Sequence, residues 1–263
     1  PIKTGVVFEK KEFRYAPFGQ TAYRTIGYLK DKNKVGLEGA FDKDLSGIPG
    51  HGIFEKMDKN LWRPLDGSKE VLPQRGLDIH TTLDVDIQDI VELSLMKALA
   101  DFKGNYATAI VMETATGEIK AISNLTKNDK SPTGYSETYN YALLESRDPG
   151  SVFKIASLMA VIEEKGYPLT KMVNTGNGQF KYYTGTMTDS HPLGTVSMER
   201  VVASSSNVGT MKLVQEAFGT SNNEKYYNYL KKFHLIESLD FQLKPSPKPV
   251  FPVPAKWDGL QLL

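Results

Sequence analysis

The stretch Asp148-Pro149-Gly150-Ser151-Val152-Phe153-Lys154 decides how this chain is read. Pro149 and Gly150 end a loop and start a strongly apolar helix, predicted from Ser151 to about Lys165. Ser151 then falls at the helix N-terminus, and Lys154 lies one turn on, on the same face. A serine hydroxyl is a poor nucleophile until a base takes its proton. A lysine amine becomes that base when desolvation or a neighbouring cation keeps it neutral. The first turn of a helix also carries free backbone N–H groups, and that of Ser151 is a candidate donor to a developing oxyanion. Ser-x-x-Lys alone carries little weight, because so short a pattern recurs by chance in chains of this length.

Toward the C-terminus, Ser204-Ser205-Ser206-Asn207 stands between two predicted helices, Ser197 to Ser204 and Val208 to Phe218. A serine cluster there would cap the second helix on its own account. Taken with the first element, it matches an acylation machinery written Ser-x-x-Lys, then Ser-x-Asn, then Lys-Thr-Gly. In that arrangement Ser205 passes a proton between Lys154 and the leaving amine, while Asn207 holds the substrate amide and the lysine. The candidate catalytic residues are therefore Ser151, Lys154, Ser205 and Asn207. Beyond them, the proline-rich tail from Lys244 to Pro254 is expected to be extended and irregular.

Toward the N-terminus, Ala107 to Met112 and Ile119 to Ile122 flank the turn Thr114-Ala115-Thr116-Gly117-Glu118, which predicts a β-hairpin. Before it, Thr82-Leu83-Asp84 is a helix-capping signal, and Ile87, Ile90, Val91, Leu95 and Leu99 follow at helical spacing. Residues 1–75 are different in kind. Gly, Pro, Lys and Asp punctuate them too often for long helices, so a small loop-rich module is expected, joined at Leu72 to Gly76 to residues 76–263. Strands mixed with helices place the second part in the α/β (α+β) class.

Composition narrows the function. Lys and Arg number 32 against 31 Asp and Glu, a net charge of +1, which gives no basic face for nucleic acid. No cysteine is present for a disulfide framework or a thiolate metal site. His51, His80, His191 and His234 lack metal-ligand spacing, so neither a metal nor another cofactor is expected. Asp189-Ser190-His191 is no hydrolase triad, since adjacent members cannot reach each other in the required geometry. Trp62 and Trp257 are expected to be packing or rim residues, and the tyrosines at 182, 183, 226, 227 and 229 to pack in preference to lining a groove. No apolar run approaches the ~20 residues that span a bilayer, and Pro1 to Glu9 lacks the apolar core of a signal peptide.

Pro-Gly-Ser-Val-Phe-Lys at 149–154 and Ser-Ser-Asn-Val-Gly at 205–209 resemble the wording of class B penicillin-binding proteins. Arg24-Thr25-Ile26-Gly27-Tyr28 and Val35-Gly36-Leu37-Glu38-Gly39-Ala40-Phe41-Asp42 resemble that family's pedestal domain. Asp78-Ile79-His80-Thr81-Thr82-Leu83-Asp84 with Gln88 resembles its entry into the transpeptidase domain. The resemblance runs from about Arg24 to Leu263 and leans toward the division-type branch over the elongation-type one. It implies a penicillin-binding/β-lactamase-like transpeptidase fold behind a pedestal, with an ion pair between Arg24 and Glu38 bracing the pedestal. It further implies a serine acyl-enzyme D,D-transpeptidase that joins peptidoglycan stem peptides ending in D-Ala-D-Ala and is acylated by β-lactams. A glycosyltransferase and other division proteins are the implied partners of the pedestal. The implied location is the bacterial periplasm, with an inner-membrane anchor outside this sequence.

The pattern departs from the family in one respect: no Lys-Thr-Gly or Lys-Ser-Gly follows Asn207. The transpeptidase domain is therefore expected to be truncated at its C-terminus, with the 107–122 hairpin left with an unpaired edge and this chain alone weakly active or inactive. A β-lactamase or β-lactam sensor is disfavoured by the pedestal motifs. A non-catalytic scaffold of the division machinery is the alternative from a different class, and the intact Ser151, Lys154, Ser205 and Asn207 count against it.

Overall fold

The structure is a computed structural model that describes residues 14–30, 33–50, 54–58, 61–64, 71–182, 185–219, 223–239, 241–243 and 248–251. The chain gathers into two compact units, residues 1–144 with 241–245 and residues 145–240 with 246–263. The readings made for His51, Tyr183, Trp257, the side chains of Trp62 and Tyr182 and most of the proline-rich tail lie outside the described residues.

The first unit begins with short elements set off by glycines. α1 (Tyr23–Ile26) leads into the antiparallel pair β1 (Tyr28–Lys30) and β2 (Asn33–Val35), then α2 (Gly36–Ala40) and α3 (Asp42–Leu45). A second hairpin joins β3 (Phe54–Asp58) to β4 (Leu61–Pro64). The Arg24–Glu38 ion pair is not formed. Glu38 pairs instead with Arg14, whose Nη1 lies 2.6 Å from Oε1, while Arg14 Nη2 donates to Gly27 O at 2.8 Å. Arg24 turns the other way, donating from Nη1 to Tyr28 Oη at 2.8 Å with its guanidinium 5.7 Å from that ring's centroid. The reason is local: Arg24 and Tyr28 stand four residues apart, whereas the Arg14 fork spans two acceptors at once.

α4 (Val85–Asp101) starts where the capping signal predicts it. Asp84 Oδ1 accepts from the N–H groups of Asp86 and Ile87 at 3.0 and 3.1 Å, satisfying two donors of the first turn. The expected hairpin is β5 (Tyr106–Met112) with β6 (Ile119–Lys127), and β7 (Tyr135–Ser136) extends the sheet in the order β5-β6-β7 before α5 (Tyr141–Leu144). Among the described residues no strand pairs the outer edge of β5, and Ile110 and Met112 stand exposed along it. Ala121 to Leu125 are buried, so β6 needs partners on both sides. Gln88, reaching over from α4, supplies one: its Nε2 donates to Ile122 O at 3.0 Å and its Oε1 accepts from Ile122 N at 2.9 Å. One side-chain amide thus does for Ile122 what a neighbouring strand would do.

The second unit opens with a 3-10 turn, Gly150–Val152, that runs straight into α6 (Phe153–Lys165). Gly150 has φ +59°, and a Cβ there would meet nothing within 4 Å, so glycine is needed for the backbone and not for space. Two ladders follow that the sequence did not predict. β9 (Gln179–Tyr182) and β10 (Gly185–Thr188) form a hairpin, and it is enclosed in sequence by β8 (Met172–Asn174), which pairs with β11 (Thr195–Ser197). α7 (Met198–Ala203) and α8 (Asn207–Phe218) match the expected helices, capped by Ser197 and Ser206. α9 (Asn223–Lys232) was not expected. Its Tyr226 and Leu230 are fully buried at i, i+4 spacing, and Tyr226 Oη meets Ser157 Oγ at 2.7 Å. α8 lies at the centre of this core. Met211, Leu213 and Val214 show no exposure, each worth about 1.5–3 kcal/mol relative to an exposed side chain.

Candidate active site

Three of the four expected site residues meet at the N-terminus of α6. Lys154 Nζ donates to Ser151 Oγ at 3.1 Å, to Ser205 Oγ at 3.1 Å and to Ser205 O at 2.7 Å. The first contact follows from the 3-10 turn, which brings residues three apart into line. The other two depend on the loop between α7 and α8. An amine has three donors only when protonated. Once neutral, it must reverse one of these contacts, and a reversal at Ser151 leaves the serine proton shared with the amine. Burial pushes the Lys154 pKa down from the ordinary lysine value, and the Asp189 carboxylate opposes that shift.

The α7–α8 loop is built for this contact at a conformational cost. α7 ends in a Schellman arrangement: Ser205 N donates to Val202 O and Ser206 N to Val201 O, both at 3.0 Å. The residue at the left-handed position of that motif is normally glycine. Here it is Ser205, at φ +51°, where an L-residue carries a strain of about 1–2 kcal/mol. A serine kept where glycine is easier supplies what glycine lacks, a hydroxyl next to Lys154. Ser205 and Ser151 are exposed and Lys154 is half-buried, so the cluster is open to a reactant.

Asn207 is placed differently from the other three. Its Nδ2 donates to Thr188 O at 2.7 Å, at the end of β10, and none of the Lys154 hydrogen bonds goes to it. The Ser206 side chain is buried and accepts from Gly209 N at 2.8 Å, closing the first turn of α8. Gly209 is required by close approach, because a Cβ there would lie 2.6 Å from Val201 Cγ2 on α7. Sequence reasoning dismissed one residue that belongs here. Asp189 accepts from Ser206 Oγ and from Val208 N, and no spacing rule connects it to residues so far along the chain. One apolar cavity of the first unit, about 330 Å³ and lined by Ile26, Leu83 and Val85 among others, includes none of these residues. His80, His191 and His234 are exposed, and among the described residues no three His, Cys, Asp or Glu side chains form a metal-binding group.

Residues 107–247, more than half of the chain, match the family model described as the penicillin-binding protein transpeptidase domain. The chain belongs to that family. The Ser-x-x-Lys and Ser-x-Asn elements both fall inside the matched region. A probable peptidoglycan D,D-transpeptidase PenA of Neisseria gonorrhoeae is 28% identical over 230 residues, 85% of this chain and 39% of the relative. Stage V sporulation protein D of Bacillus subtilis is 28% identical over 256 residues, 91% of this chain and 38% of the relative. Among solved structures, penicillin-binding protein 3 of Mycobacterium tuberculosis, complexed with ampicillin, is similar with a TM-score of 0.74 at 26% identity. That likeness covers 95% of this chain and 52% of the solved one. The chain thus spans about two fifths of the length of the curated relatives it matches. The expected class of fold, mixed strands and helices in a transpeptidase arrangement, agrees with these likenesses.

Proposed function

We propose that this chain carries the nucleophile and base of a serine acyl-enzyme D,D-transpeptidase acting on peptidoglycan stem peptides. Ser151 Oγ attacks the carbonyl of the penultimate D-Ala as Lys154 Nζ takes the hydroxyl proton. Ser205 relays that proton to the departing amine, so that terminal D-Ala leaves and an ester joins Ser151 to the stem. An amine of a second stem then attacks the ester, the new amide bond forms, and the proton returns to Ser151 Oγ. Asn207, whose Nδ2 donates to Thr188 O, holds the substrate amide in this reading. The observation that carries it is the placement of one amine, with a pKa lowered by burial, within 3.1 Å of the hydroxyls of both Ser151 and Ser205. β-Lactams, which imitate the D-Ala-D-Ala end, are proposed to acylate Ser151, as the ampicillin complex of the similar structure suggests for that protein.

The rest of the reading follows from the family. Residues 1–75 are proposed as the C-terminal part of a pedestal and residues 76–263 as transpeptidase domain. A glycosyltransferase and other division proteins are its proposed partners, in the bacterial periplasm, held at the inner membrane by a helix outside this sequence. Among the described residues no helix is long and apolar enough to cross a membrane.

The test is covalent labelling of full-length protein with a fluorescent penicillin, beside a Ser151→Ala variant of the same protein. Label that is stable and vanishes in the variant supports the reading. Absence of Ser151-dependent label leaves the scaffold alternative in its place.

A further inference from the structure

Asp189 stands one residue past β10 and outside both catalytic motifs, yet its carboxylate is divided between the two residues that flank Asn207. Oδ2 accepts from Ser206 Oγ at 2.7 Å and Oδ1 from Val208 N at 3.0 Å. The aspartate is itself fixed from behind, its N–H donating to Gly178 O at 2.9 Å. Its neighbour Thr188 takes the Asn207 amide at 2.7 Å. Three consecutive residues at the start of α8 are thereby tied to two consecutive residues at a strand end. Plain helix capping does not require so much, because Ser206 Oγ already serves Gly209 N. What the ties do reach is Ser205, the residue just before them. Its left-handed φ of +51° is the strained point of the loop, and its hydroxyl and carbonyl are two of the three acceptors of Lys154.

We propose that Asp189 is a positioning residue for acyl transfer: by clamping Ser206 and Val208 it keeps Ser205 in the strained conformation that sets its hydroxyl and carbonyl on Lys154. This inference rests on the acyl-transfer reading of Ser151 and Lys154. Strain of this kind persists only where the surroundings over-determine it; beside the two direct bonds from Lys154, Asp189 holds the residues that follow Ser205 from outside the loop. The carboxylate has a second consequence. The groups acting on the Lys154 amine are the Ser151 hydroxyl from its own turn, Ser205 from the α7–α8 loop and the charge of Asp189 from the strand end, which raises the lysine pKa against the lowering by burial.

The experiment measures the rate of Ser151 acylation by a fluorescent penicillin across pH, with melting temperatures, in full-length wild type, Asp189→Ala and Asp189→Asn. Asparagine preserves the shape and removes the charge: Oδ1 can still accept from Val208 N, while Nδ2 must donate to Ser206 Oγ, which reverses the bond that the Ser206 hydroxyl donates to Asp189. Asp189→Ala is expected to slow acylation roughly tenfold or more, as small displacements of reacting groups do. Asp189→Asn is expected to retain more of the rate. Its alkaline rise should move to lower pH, because the amine has lost the charge that held its proton. A purely structural role would move the melting temperature and not the pH profile. The inference is overturned if both variants acylate within about twofold of wild type with an unshifted profile, or if the Ala loss tracks unfolding while the Asn profile stays put. Wild type that shows no Ser151-dependent label removes the acyl-transfer reading and this inference together, whereas labelled wild type with indifferent variants removes the inference alone.

Discussion

Two clusters of polar side chains in this molecule are packed in opposite ways. In the first unit, Glu137 is 9% exposed, Gln88 2% and Asn124 not at all. The partners there are chiefly backbone groups: Glu137 accepts from the N–H of Arg24 and of Asn124, both at 2.7 Å, and Gln88 pairs both backbone groups of Ile122. In the second unit, Ser151 and Ser205 are exposed, Lys154 is half-buried, and side chains meet one another across a strained backbone residue. Burial acts on both, with opposite meaning. It pushes the Glu137 carboxyl up to about 7 against the backbone N–H bonds that favour its ionised form, and it pushes the Lys154 amine down. The buried carboxyl gives a pH-dependent stability. The half-buried amine is left where a reactant can reach it, as the proposed function requires.

Four outcomes would sharpen or break this contrast, the largest first. Replacing the amine by an uncharged group of similar reach, Lys154→Gln, should slow penicillin acylation by about 10²–10⁴, the range of a general base, with little change in melting temperature. An unchanged rate would take the base role away from Lys154. At Glu137 the effect should appear in stability instead. Its folded pKa of about 7 exceeds the ordinary 4.5, so the folded state holds the proton more tightly. The stabilisation is complete below pH 4.5 and disappears as pH rises through about 7, up to about 3 kcal/mol. Chemical denaturation at pH 5 and pH 8 measures this, and Glu137→Gln should flatten the difference. A wild type equally stable at both values would contradict the burial argument.

The third outcome concerns the crossing of α7 and α8. Gly209→Ala places a methyl 2.6 Å from Val201 Cγ2 and should cost about 1–3 kcal/mol. Adding Val201→Ala should recover part of that loss in the melting temperature, and no recovery would mean the crowding lies elsewhere. Smallest in stability is Ser205→Gly, expected to raise the unfolding free energy by about 1 kcal/mol as the left-handed strain is relieved while acylation slows. A variant that loses stability would show that φ +51° is not strained in this loop.

The elements legible in the sequence are those whose signals are local. Asp84 and the apolar spacing after it mark α4, two apolar runs around Gly117 mark the β5–β6 hairpin, and Ser151 with Lys154 mark a shared helical face. Where the signal was weak, the reading fell short. α9 hides its periodicity in a polar, tyrosine-rich run, in which Tyr226 and Leu230 are fully buried and Tyr229 packs partly against the core. β8 to β11 are three or four residues each, too short for alternation to stand out. Arg24 and Glu38 were paired on residue type and family resemblance, and geometry gave Glu38 to Arg14.

The sequence by itself determined the family, the spacing of Ser151 and Lys154 one helical turn apart and the position of the second serine element, because each rests on neighbours within a few residues. Only the tertiary structure decided that Ser205 would be strained, that Asn207 would bond to Thr188, and that Asp189 would hold the residues on either side of Asn207. Those contacts join a strand end to a helix start across 17 to 19 residues. No periodicity encodes that distance, since it is closed by the packing of α8 and the folding back of β10.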